Sequence, residues 1–108
     1  MPGTLASGGN ILYAWLIGPT LAPTSVAANT TAEQLFTIGG LQAGDNVSGY
    51  LLAPMINGIG ISNMRVSAAN QLQIGFSNNT AGALVPTAGV YQICICRPES
   101  LPLPINAA

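Results

Sequence analysis

The 108-residue chain has no lysine and no histidine, and its formal charges are confined to Arg65, Arg97, Glu33, Asp45 and Glu99. Charged residues make up 5% of the sequence, where a soluble domain usually carries about a quarter. Its solvent face must therefore be built from Ser, Thr, Asn, Gln, Gly and main chain. Two arginines cannot neutralise a phosphate backbone, so no nucleic acid partner is expected. Without histidine, the commonest proton-transfer group at neutral pH and the commonest metal ligand are both missing. No Ser or Thr in the chain has a histidine or lysine to activate it, which excludes a nucleophilic triad or dyad within one chain. A long apolar run is also lacking. The longest, Ile11 to Ile17, stops at Gly18-Pro19, whereas a membrane helix needs about 20 residues, and no membrane partner is expected. No basic residue precedes that run, so it does not read as a secretory signal.

What the sequence does contain is strand periodicity. Leu72, Ile74 and Phe76 alternate with Gln73, Gly75 and Ser77, and Met64 and Val66 alternate with Asn63, Arg65 and Ser67. Ala69-Asn70 lies between the two runs, where a tight turn needs a residue that tolerates positive φ, so residues 61–77 read as one β-hairpin. Further strands are expected over Glu33–Ile38, Asn46–Leu52 and Val90–Arg97, the last with Tyr91, Ile93 and Ile95 facing the core. Phe36 and Ile38 complete the expected core. The fold class expected is all-β, a small antiparallel β-sandwich or barrel.

The two ends differ from this centre. Both alternating faces of Ile11–Ile17 are apolar, so a strand there is either central in a sheet or adds to a partner. The prolines at 98, 102 and 104 prevent a regular ladder and give an extended tail. The expected organisation is an N-terminal arm or interface strand over residues 1–24, a β-sandwich domain over 25–97 and a Pro-rich C-terminal tail over 98–108. Partner contact is assigned to Leu12, Tyr13, Trp15 and Leu16 in the arm, and to Leu101, Leu103 and Ile105 in the tail, with core filling the favoured alternative for one of the two aromatics.

No catalytic, cofactor or metal site is expected. Cys94 and Cys96 point to one face of a strand, but a zinc site wants four ligands and neither His nor a second Cys pair exists. They read as reduced thiols used as small hydrophobes. Asp45 lies in Gly44-Asp45-Asn46, a turn where Asp commonly caps its own backbone. Gly58-Ile59-Gly60 lacks the setting of a dinucleotide loop and reads as a bend. Tripeptides starting at Asn29, Asn46 and Asn78 fit the N-glycosylation pattern, which matters only in a secretory pathway.

Several stretches of the centre resemble a known family. They are Thr31-Ala32-Glu33-Gln34, Gly40-Leu41-Gln42-Ala43-Gly44-Asp45, Asn63-Met64-Arg65-Val66-Ser67-Ala68-Ala69-Asn70, Phe76-Ser77-Asn78-Asn79-Thr80 and Pro86-Thr87-Ala88-Gly89-Val90-Tyr91. Together they resemble the small β-domain of tailed-bacteriophage virion proteins, including capsid cement or decoration proteins. The resemblance spans about residues 29–97 and is most specific from Arg65 to Thr80; the family has plain aliphatic residues at the positions of Cys94 and Cys96. It implies a non-enzymatic structural virion protein on the outer surface of the capsid. Its partner would be the major capsid protein, its own state a homo-oligomer, expected to be a trimer, and its role to link neighbouring subunits. The alternative is a receptor-binding, head-fibre or tail module with a polar surface for host sugar. A third reading is an enzyme completed across subunits by Asp45 or Glu33. Exposed aromatics beside carboxylates would favour the second, and a carboxylate buried in a shared cleft the third.

Overall fold

A computed structural model describes residues 11–99, all strand, turn and loop with no helix among them. The strands are β1 (Ile11–Ile17), β2 (Thr20–Leu21), β3 (Thr30–Thr37), β4 (Asn46–Leu51), β5 (Ile59–Ala68), β6 (Gln71–Asn78) and β7 (Gly89–Pro98). They form two antiparallel sheets packed face to face, a small β-sandwich. In one sheet β6 is central between β3 and β5. In the other β7 is central, with β4 on one side and β1 followed by β2 along the opposite side.

The alternation of residues 61–77 produces the hairpin expected of it, β5 and β6, in which Met64 lies opposite Ile74 and Val66 opposite Leu72. Asn70 takes the turn with φ of 62°. The turn is also a docking point. Asn70 N–H donates to the Leu41 carbonyl at 2.9 Å, and its Oδ1 accepts the Gly40 N–H at 2.8 Å, which fixes the hairpin tip against the β3–β4 loop.

The central strands supply the core. Leu72, Ile74 and Phe76 of β6 face Tyr91, Ile93 and Ile95 of β7, and all six are fully buried. Val66 is buried with them, and Phe36, Ile38 and Met64 pack against the cluster from its margin. Tyr91 keeps its hydroxyl satisfied by donating to the Thr87 carbonyl at 2.8 Å, and its burial pushes the phenol above its ordinary pKa. At Gly49, a Cβ would come within 2.5 Å of the Gln92 carbonyl oxygen, so only glycine lets β4 lie this close to β7.

Five residues outside the expected core complete it: Leu21, Val26, Leu41, Val47 and Ile59, each at most 8% exposed. Val26 is held by a two-way main-chain bridge to Leu84, and beside it the side chain of Gln34 mimics a strand, accepting from Thr24 N–H at 2.8 Å and donating to the Thr24 carbonyl at 2.7 Å. Leu21, Trp15 and Ile17 pack on the same core as residues 25–97, so the stretch from residue 11 to 24 belongs to the sandwich by packing as well as by pairing. Of the two places foreseen for Ile11–Ile17, the central one is not taken: β7 is central, and among the described residues β1 is an edge strand with one side unpaired. Leu101, Leu103 and Ile105, the tail residues expected to meet a partner, lie outside the described residues.

Candidate interaction surface

β1 is where the expected partner residues gather. Ile11, Leu12, Tyr13 and Leu16 are 54–63% exposed, while Trp15 and Ile17 turn inward onto the core. The main-chain pattern follows from the register. Tyr91 N–H donates to the Pro19 carbonyl at 2.9 Å, and the same register pairs Ile17 with Ile93, Trp15 with Ile95 and Tyr13 with Arg97. Antiparallel partners alternate between hydrogen-bonded and non-hydrogen-bonded pairs, so Tyr13, Trp15 and Ile17 exchange bonds with β7, whereas Ala14 and Leu16 turn their N–H and C=O outward. β7 obeys the complementary rule on its other side, where Leu52 N–H donates to the Val90 carbonyl at 3.0 Å and the even-numbered residues bond β4.

The other edges are blunted. The Thr24–Gln34 pair covers β3, and β5 is interrupted by irregularities between Ile61 and Asn63 and between Val66 and Ala68 and carries Arg65. β4 is short and lies beside β5. β1 has neither charge nor proline, and its single irregularity lies between Ile11 and Tyr13. An open, apolar, regular edge is a template for a further strand.

At the Asp45 end of β1 an aromatic and ionic cluster forms. The rings of Tyr13 and Trp15 meet edge to face at 6.3 Å, and the Arg97 guanidinium lies 5.1 Å from the Trp15 ring centroid. Arg97 grips Asp45 with both ends of its fork: Nε donates to Oδ1 and Nη2 to Oδ2, each at 2.9 Å. Nη2 also donates to the Gly40 carbonyl at 2.8 Å. Asp45 caps its turn as its sequence position suggested, Oδ2 accepting the Gln42 N–H at 3.0 Å. The guanidinium beside it holds this carboxyl below the usual Asp range even though desolvation opposes the shift. With its side chain 2% exposed and both oxygens engaged, Asp45 is a structural anchor; an open groove of about 370 Å³ runs past it between Leu12, Ala43 and Glu99. Tyr13 is thus an exposed aromatic near a carboxylate, but one whose oxygens are already taken.

The outer face of this sheet is uncharged. Ala14 and Leu16 of β1, Gln92, Cys94 and Cys96 of β7, and Ser48 and Tyr50 of β4 share it by register. Leu16 and Tyr50 are 63% and 55% exposed and flank a shallow groove of about 290 Å³ over Cys94 and Gly49. Both thiols are free; desolvation, with the neighbouring Cys94, pushes the Cys96 thiol upward, which suits an unreactive role. Among the described residues no group of three or more His, Cys, Asp or Glu comes together. Tyr50 was not among the expected partner residues, although its place in phase with Ser48 on β4 puts it on this face.

The opposite sheet presents Thr31, Glu33, Leu35, Thr37, Gln71, Gln73 and Ser77 outward, with Leu35 its one large apolar side chain among them. Across it Arg65 bridges to Glu33, Nε to Oε2 at 2.7 Å and Nη2 to Oε1 at 2.8 Å, and this bond holds the Glu33 carboxyl below its ordinary range. Gly58 is a bend, with φ of 95°. Asn78 is buried and saturated: Nδ2 donates to the carbonyls of Val26 at 3.0 Å and Gly82 at 2.9 Å, while Oδ1 accepts from the Thr80 N–H at 2.9 Å and hydroxyl at 2.7 Å. Comparison with family models, with curated proteins and with solved structures gives no match to this chain.

Proposed function

We propose that the protein is a structural virion protein of a tailed bacteriophage, a capsid cement or decoration protein on the outer surface of the shell. It binds the major capsid protein and stabilises the shell by linking neighbouring subunits, itself assembled as a homo-oligomer for which the family resemblance suggests a trimer. The observation that carries this reading is β1: an apolar edge strand with outward main-chain groups, on a sandwich whose other edges are blunted. A chain with so few charges binds through buried apolar area and added strands, and both are offered in one place. The paired state of Asp45 and Glu33 supports a scaffold role for the two carboxylates rather than acid–base work.

The test is sedimentation of intact particles with a copy-number measurement, followed by re-binding of purified protein to stripped shells. The protein is expected on particles in stoichiometric ratio to the capsid subunit. Re-binding should barely change when NaCl is raised, because five ionisable side chains cannot supply an extensive ion-pair network, and should be lost in urea. Absence from the head with binding to host cells instead would move the protein to the receptor-binding or fibre class. Affinity that collapses in moderate salt on an intact shell would overturn the apolar mode of attachment.

A further inference from the structure

We infer that the free protein pairs with a second copy of itself, β1 against β1 in antiparallel order about a two-fold axis at Ala14. The inference stands apart from the capsid reading, since it concerns the edge strand alone and would hold for this sandwich in any setting.

The edge fits its own copy. A two-fold axis at Ala14 makes Ala14 its own partner and sets Trp15 opposite Tyr13 of the second copy, while Leu16 and Ile17 face the irregular end of the second copy at Leu12 and Ile11. Every pair is apolar with apolar, and the aromatics meet aromatics, the cross-strand combination that stabilises sheets. The hydrogen-bond phase agrees with the axis. Ala14 and Leu16 turn their N–H and C=O away from β7, so Ala14 meets Ala14 as a hydrogen-bonded pair, and the groups that β7 leaves open are used. The smallest side chain of the strand lies on the axis. No charge on β1 opposes the contact. The outcome is one continuous sheet through both copies, β4, β7 and β1 of one followed by β1, β7 and β4 of the other, with the most exposed edge of each covered. Leu16 and Ala14 continue this contact onto the uncharged outer face beside Tyr50.

The contact is small. One strand of seven residues buries less than the roughly 800 Å² per partner of a standard stable interface, so the dimer should be concentration-dependent rather than permanent. It is also isologous, and a two-fold contact cannot close a trimer; a three-fold assembly on a shell would use other surface.

Light scattering on the full chain across a wide concentration series gives the first reading. The mean mass should climb from the 10.9 kDa of one chain toward twice that value, and Leu16→Lys, at an exposed position, should hold it at one chain with an unchanged circular dichroism spectrum. Ala14→Cys gives the second, in a background with Cys94→Ala and Cys96→Ala because Ala14 lies opposite Cys96 within the same chain. Oxidised glutathione should then link two copies through residue 14, since hydrogen-bonded partners have Cα atoms about 5.5 Å apart, within disulfide reach. Gln73→Cys on the far sheet, in the same background, should stay unlinked. A mass of one chain at every concentration overturns the inference, as does a dimer or trimer that survives Leu16→Lys. A dimer that Ala14→Cys fails to link overturns it equally.

Discussion

The two sheets of the sandwich share a core, and yet they meet solvent in different ways. The β3–β6–β5 sheet shows water mostly Thr, Gln, Ser, Asn and a guanidinium–carboxylate bridge, with Leu35 as its exposed leucine, and its edges are covered or kinked. The β1–β7–β4 sheet shows Leu16, Tyr50, two thiols and an apolar edge. Alternation explains the first sheet, because one apolar and one polar face suffice for a half-buried strand. In β1 both phases are apolar, and only one phase finds a place in the core. The excess apolar surface on one side is what a folded monomer does not need, and under the proposed function it is the side that meets the shell.

That comparison can be broken first at the core the sheets share. Phe76→Ala removes a fully buried ring and should cost about 3–5 kcal/mol, read as a fall in the urea midpoint; an unchanged midpoint would mean that the alternation of β6 is out of phase. Asp45→Asn comes next, since it takes the charge from a buried, bidentate contact that ties the β3–β4 loop to the end of β7. A loss of about 1.5–3 kcal/mol is expected in the same assay. The pH dependence has a definite sign. The folded-state pKa of Asp45 is lowered by Arg97, so its contribution is full above the unfolded value near pH 4 and disappears as pH falls through the folded value. Glu33 shifts in the same direction through Arg65. Wild-type melting temperature should therefore be flat from neutral pH down to about pH 5 and drop in stronger acid, and Asp45→Asn should shrink the drop.

The smallest effect on stability is the sharpest test of the asymmetry. Leu16→Lys and Leu35→Lys both place a cation at an exposed leucine, one on each sheet, and each should move stability by no more than about 0.5 kcal/mol. Only the first should weaken re-binding to stripped shells. Equal loss from both variants would show that the two sheets are not functionally different.

Much of the fold was legible because neighbouring residues encode it. The hairpin of β5 and β6 is a local structure, with alternation on both arms and Asn at the one position needing positive φ. What could not be read depends on partners far along the chain. β3 begins at Thr30, ahead of its apolar residues, because Thr30 to Ala32 pair with Asn78 to Phe76. β2 is two residues next to a proline and exists only because β7 continues past β1. Arg97 and Asp45 are 52 positions apart, and nothing local to either announces the other. For the interface strand the sequence offered two places, and the choice was settled by β7, whose own apolar face made it the better centre. Of Tyr13 and Trp15, one of which the sequence favours for the core, Trp15 is the member that turns in.

The saturation of Asn78 has a consequence for the order of events in synthesis. Of the three Asn residues in glycosylation tripeptides, Asn29 and Asn46 are exposed, while Asn78 lies at 2% exposure with its amide nitrogen spent on two carbonyls. An oligosaccharide can be attached to that nitrogen only before the loop after β6 closes over Val26. Were this chain routed through a eukaryotic secretory pathway, sugar on Asn78 would record that the transferase arrived before the sandwich shut, and the modified molecules could not then close it. The same side chain that locks the finished fold would act as a clock on its formation.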